Sequence, residues 1–125
     1  MLALSDLAAF LTSVVPSGFT VAVNRLPDSP DEVVAVNVMP GGRGLLVDGA
    51  FQEVMVQVRC RAATDAAAEQ ASLAVDLALV DSAPVVMGAT YVTSVVPSAG
   101  PPAYFERDVE NRTVYYCKYV LEVQR

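Results

Sequence analysis

Several groups of residues in this chain have types and spacings that invite a chemical reading. Gly41-Gly42-Arg43-Gly44 follows an apolar run, as a phosphate-cradling loop would. No Lys-Ser/Thr pair follows it, and the next regular segment has the period of a strand and not of a helix. Phosphate binding is therefore set aside. Asp28-Ser29-Pro30-Asp31-Glu32 lacks the alternating oxygen ligands of a calcium loop and reads as a solvated turn. Glu106 and Glu110 flank a turn on a surface hairpin, with no pocket implied for an acid–base pair. The chain has no His, which removes Ser-His and Cys-His nucleophile pairs and the usual zinc ligand. Cys60 and Cys117 both fall on the apolar side of strand patterns and read as buried, reduced thiols. A disulfide between two strands is geometrically possible, but no secretory context calls for one. No catalytic residue, cofactor or metal is expected.

Two constellations have the chemistry of contact instead. Met55, Gln57, Arg59 and Arg61 alternate along one strand and point from the same face. They form either an exposed sheet face or a subunit interface, where Arg is enriched. Asp65, Glu69 and Asp76 follow at helical spacing and supply the complementary charge. An Arg face meeting the next copy's acidic helix is a head-to-tail contact, and such contacts generate rings when they close. The second constellation is Gly41, Gly42, Arg43, Gly44, Leu45, Leu46 and Val47. It is either a flexible loop between strands or an arm that docks on a partner. The arm reading gives a reason for apolar Leu45, Leu46 and Val47 between two glycine breaks and for Phe51 just after the second.

The elements that must position these groups are legible in order. Ser5 and Asp6 open a short helix with Leu7, Phe10, Leu11 and Val14 on one stripe, stopped by Pro16-Ser17-Gly18. Ser5 is its expected cap. Strands are expected at Thr20–Val23, Val33–Met39 and Glu53–Ala62. In the last, Val54, Val56, Val58 and Cys60 form the face opposite the arginines. A long helix from about Asp65 to Val80 follows. Its expected packing side is Ala67, Gln70, Ala71, Leu73, Ala74, Leu77, Ala78 and Val80, with Asp65, Glu69, Ser72 and Asp76 turned outward. Val85–Met87, Tyr91–Val96, Tyr104–Arg107 and Arg112–Val123 are the remaining strands. A stiff Pro97–Pro102 loop interrupts them, and Asn111 suits the left-handed position of the last turn. The fold class is α+β: one domain over residues 1–125, with a mainly antiparallel sheet of five to six strands and two helices packed on one face.

Composition narrows the function. The chain has 125 residues, 54% of them apolar, and a formal net charge of −6 with a single lysine, Lys118. Sequence-specific nucleic-acid binding needs clustered Lys and Arg and is not expected. The opening residues, MLALSDLAAF, lack the basic region of a signal peptide. No apolar run approaches the ~18 residues that span a membrane. The chain reads as soluble and made in a cytoplasm.

Four stretches carry a resemblance. They are LSDLAAFL before Gly18, Leu26–Val36 (LPDSPDEVVAV), Val54–Ala62 (VMVQVRCRA) running into the Ala-rich helix, and Arg107-Asp108-Val109-Glu110-Asn111-Arg112 before Tyr115-Tyr116. Asn111 stands where Gly is expected. In this order and total length the chain resembles the tail-terminator or minor capsid proteins of long-tailed, non-contractile bacteriophages, especially those of actinobacteria. The resemblance implies a structural virion protein, made in the host cytoplasm and placed at the head–tail junction. It implies a homo-oligomeric ring, a hexamer, that caps the tail tube, ends its growth and offers a surface to the head connector protein. DNA passes through the ring without specific binding, and no membrane, enzyme activity or cofactor is involved. Another connector protein (head-closure or tail-completion) is the nearest alternative, and a small ligand-binding α+β module is a more distant one.

Overall fold

The computed structural model describes residues 2–40, 45–46, 51–98 and 100–124. Its centre is a pair of twelve-residue strands, β4 (Phe51–Ala62) and β8 (Thr113–Gln124). They run antiparallel from Phe51 opposite Gln124 to Ala62 opposite Thr113. Alternation sets the two faces. Val56, Val58 and Cys60 share one side with Cys117, Tyr119, Leu121 and Val123, and all are buried.

The other strands add to this pair. On one side β4 pairs with β2 (Val33–Val38), and β2 pairs with β1 (Thr20–Val23). On the other side β8 pairs with β6 (Thr90–Pro97), and β6 pairs with β5 (Val85–Met87). The path β1-β2-β4-β8-β6-β5 is the expected mainly antiparallel sheet, and β1–β2 makes it mixed because those two are parallel. Two short strands complete it, β3 (Leu45–Leu46) on β4 and β7 (Ala103–Arg107) on β8. Leu45 and Leu46 therefore belong to an antiparallel ladder opposite Gln52 and Phe51, and not to an open loop. Backbone pairing with the start of β4 outweighs the glycine breaks that suggested otherwise.

β6 and β7 lie end to end along the same side of β8. β6 is registered on Tyr119–Gln124 and β7 on Thr113–Tyr116, with Pro97–Pro102 between them. β7 and β8 form a hairpin. Asp108 Oδ1 accepts from the backbone N–H groups of Glu110 and Arg112, at 3.0 and 2.9 Å. Asn111 takes φ 64°, the left-handed position expected of it.

Both helices cover the same face of the sheet. Helix α1 (Leu4–Thr12) buries Leu7 and Leu11 completely. Each contributes ~1.5–3 kcal/mol, which offsets the marginal stability of so short a helix. Its N-cap is Ala3, with no side-chain bond, and Ser5 lies inside the first turn and not at the cap. Helix α2 (Asp65–Ser82) is capped by Thr64, whose hydroxyl accepts from the Ala67 N–H at 3.2 Å.

The side of α2 that meets the sheet matches the expected one only in part: Ala71 is buried and Asp65 and Glu69 are exposed, but Ser72 is inside and the large apolar residues of the expected side are not. Ala68, Ala71, Ser72, Val75 and Leu79 are buried. Leu73, Leu77 and Val80 are 50%, 65% and 39% exposed. Among the described residues, no helix is long and apolar enough to cross a membrane.

Candidate assembly surfaces

The rotation of α2 has a cause on β8. Thr113, Tyr115, Cys117 and Tyr119 alternate along that strand on the side facing the helix, and three of them carry hydroxyls. Asp65 accepts from the Thr113 hydroxyl and, at 2.9 Å, from Arg107 Nη2. Glu69 Oε2 accepts from the Tyr115 hydroxyl at 3.2 Å. Asp76 Oδ1 accepts from the Tyr119 hydroxyl at 2.7 Å, with Cys117 Sγ 4.0 Å away. Helix and strand ascend together, so acids at helical spacing meet hydroxyls at strand spacing. Eleven helical residues rise ~16 Å and six strand residues ~20 Å, close enough for both ends to meet.

The Tyr119–Asp76 pair is sheltered under the helix, while Asp65 and Glu69 stay exposed at its edge, and water tolerates the few apolar side chains left outside. Asp65, Glu69 and Asp76 are thus engaged within the subunit, and Ser72, whose hydroxyl has no partner among the described residues, is buried beside them. The strand side of the seam stays neutral. Desolvation, with Cys117 and Asp76 as bonded neighbours, raises the Tyr119 pKa far above its ordinary value. Desolvation and then Glu69 raise that of Tyr115. Burial pushes the Cys60 thiol up to about 12 and raises that of Cys117.

The arginines have a comparable inward task. β1 and β2 are parallel, so residues 24–32 must cross from the end of one to the start of the other. Arg59 Nη2 donates to the Asn24 carbonyl at 2.9 Å. Arg61 donates to the Pro30 carbonyl at 2.6 Å and the Asp31 carbonyl at 3.1 Å. Arg112 Nη1 donates to the Asp28 carbonyl at 2.6 Å and to Asp31 Oδ1 at 3.2 Å, and its Nε to Asp108 Oδ2 at 2.8 Å. Val33, Ala35 and Val114, on the same helix-free face, are buried, so the pinned segment covers this end of the sheet.

Arg61 is 3% exposed. Burial, then Arg112, lowers its pKa. Burial works against the charge on Arg112 too, but its bonds to Asp108 and Asp31 prevail and its pKa is raised. Desolvation would raise Asp108. The Arg112 backbone and side chain and the Glu110 N–H outweigh that and hold it below the usual carboxylate range. Arg59 and Arg61 are therefore fixing points for the 24–32 crossover more than a free cationic face.

Beyond that crossover the helix-free face is half-buried at Met55 and Val120 and exposed at Val96. Met55 is opposite Val120, and Val120 is opposite Val96, so one apolar row crosses three strands. Val96 is 54% exposed. Gln57 is opposite Lys118 in the next row, and the Lys118 ammonium lies 6.0 Å from the Tyr116 ring centre. Phe105 packs edge-on against Tyr116, with ring centres 5.3 Å apart.

Of the proposed arm, Gly41, Gly42, Arg43, Gly44 and Val47 lie outside the described residues, and Leu45 and Leu46 form β3. A cleft between the end of β2 and the start of β4 is lined by Leu2, Val38, Met39, Gln52, Glu53, Val54 and Met55.

The outward stripe of α2 and the crossover staples escaped sequence reasoning. The run of hydroxyl side chains at 113, 115 and 119 was the available signal for the first, since buried hydroxyls call for acceptors opposite them.

No curated protein matches the chain. Among solved structures it is similar to a chain of the virion of a native gene transfer agent particle. The two share 17% identity and a TM-score of 0.54, over 94% of this chain and 84% of that one, which is a likeness of fold. The family model described as bacteriophage tail terminator protein matches residues 7–125, almost the whole length and every element from α1 onward. By that match the chain belongs to the bacteriophage tail terminator family and is a structural protein of the phage tail.

Proposed function

We propose that copies of this chain close into a ring, a hexamer, on the growing tip of the tail tube. The ring ends tube polymerisation and presents its far side to the head connector, with DNA passing through its centre. The observation that carries this reading is the family match over residues 7–125. The structure supports a role by contact and not by reaction. Asp65, Glu69, Asp76, Arg59, Arg61 and Arg112 are tied into intramolecular bonds, and Leu73, Leu77 and Val96 are exposed. The net charge of −6 suits a wall that DNA passes without adhering. Met55, Gln57 and Arg59 on the sheet, with Asp65, Glu69 and Asp76 at the edge of α2, are the proposed region of subunit contact. Arg61 contributes by holding the crossover in shape. The segment from Gly41 to Val47 is the proposed arm toward the tube or the connector.

Particles made without this protein provide the test. Tails of uncontrolled length are expected under electron microscopy. Tails of normal length that fail to join heads would replace termination with a connector role.

A further inference from the structure

Glu69, Leu73, Leu77 and Asp81 stand four apart on helix α2 and form one ridge along its outer side. Glu69 and Asp81 are its exposed ends. Leu73 and Leu77, 50% and 65% exposed, are its middle, and Val80 lies alongside at 39%. A single exposed Leu means little. Three adjoining apolar side chains, on a helix that turns Ser72 and Asp76 inward, are a surface suited to being covered.

The charge at one end of the ridge is a second, independent observation. Asp81 lies in the last turn of α2, at the negative end of the helix dipole, and that turn holds no basic residue. It has no hydrogen-bond or ion-pair partner among the described residues. Neither helix carries a Lys or Arg that could serve as one. Its charge works against the helix, and chains keep such local conflicts where function requires them. A cation arriving from outside would meet the carboxylate and the helix C-terminus together.

The same charge selects the occupant. Nucleic acid and anionic membrane surfaces are repelled by it. A second copy of the chain has little cation to give among the described residues. Arg61 and Arg112 are buried, and Arg59 and Arg107 are bonded within the subunit. Arg25 shares the 24–32 crossover with Asp28, Asp31 and Glu32. Lys118 is half-buried beside Tyr116, on a sheet face that also carries Glu53 and Glu122.

We propose that the outer ridge of α2 docks on a different protein of the phage tail, one that sets Lys or Arg beside an apolar patch. Leu73, Leu77 and Val80 cover the patch, and Asp81 and Glu69 meet the cations. Such docking needs only that the chain is a tail protein, and it holds whether or not the copies close into a ring.

The test uses assembled tails in which photo-reactive benzoylphenylalanine replaces Leu77 or, at the margin of the ridge, the exposed Gln70. Irradiation is expected to join the chain to another tail protein, at a peptide containing Lys or Arg. Adding Asp81→Lys is expected to cut that product at least about tenfold. In the purified protein the same substitution is expected to keep or raise the urea midpoint, because a cation suits the end of a helix. Cross-links to a second copy of this chain would overturn the proposal in favour of a contact between copies. A product with another protein that Asp81→Lys leaves undiminished would overturn the cationic occupant. No product at either position would show the ridge uncovered in the tail and overturn the docking itself. A lower midpoint for Asp81→Lys would show that Asp81 serves the fold and would remove the charge that selects the partner.

Discussion

The Tyr119 hydroxyl donates to the Asp76 carboxylate across 2.7 Å, joining residues 43 positions apart beneath the centre of α2. Tyr119 is the largest fully buried side chain of the core. This one bond decides which way the helix faces, because Asp76 cannot stay with Tyr119 while Leu77 enters the core.

Removing either partner should be costly and coupled. Tyr119→Phe is expected to destabilise by about 1 kcal/mol, and Asp76→Ala by ~1–3 kcal/mol because it leaves a buried hydroxyl unpaired. The double variant should fall short of the sum by ~0.5–3 kcal/mol. Urea denaturation of the four proteins measures this, and strict additivity would refute it.

Arg61→Ala should loosen the crossover at residues 24–32. It strands two backbone carbonyls, those of Pro30 and Asp31, and a loss of ~2–3 kcal/mol is expected. Arg59→Ala removes one bond at a more exposed site and should cost less. Thermal unfolding gives the order, and limited proteolysis should find the new cleavage between Asn24 and Glu32. Reversing both charges is for this reason a poor probe of assembly, since it damages the monomer first.

Stability should respond to pH at both ends. Tyr119, Tyr115, Cys60 and Cys117 all have raised pKa values. Their neutral forms favour the native state, so their contribution is complete below the unfolded values, about 8.5 for Cys and about 10 for Tyr. It is lost as pH climbs from there toward the folded values. Asp108 is lowered, so its contribution is present above about pH 4 and disappears as acid protonates it. Urea midpoints should therefore decline above about pH 8.5 and again below about pH 4. Tyr119→Phe should flatten the alkaline arm, and an unchanged slope would contradict the assignment.

Period-two alternation was enough to place β4 and β8, because their inward and outward residues differ sharply in polarity. Helical spacing was enough to place α2 in the chain, but not to orient it. Ala, Leu and Val surround most of its circumference, and the deciding partners lie more than 40 residues away on β8. Counting apolar residues pointed to the Leu73–Leu77 side. Pairing the acids with the hydroxyls of Thr113, Tyr115 and Tyr119 points to the opposite one. The inward bonds of the arginines escaped notice for a related reason: a guanidinium on an outer sheet face looks free until a crossover is known to lie over it. The parallel β1–β2 pair that demands the crossover has no local signature.

The break between β6 and β7 bears on how force enters the subunit. Register passes along a strand only while its ladder is continuous, and here the ladder runs to Ser98, whose N–H reaches the Lys118 carbonyl, and resumes at Ala103. The tip of the β7–β8 hairpin, at Val109, is wholly exposed. Because the hairpin's second strand is β8 itself, paired with β4 along its whole length, load at the tip is carried straight into the centre of the sheet, with the β7 ladder and the Arg107–Asp65 bridge as its side ties.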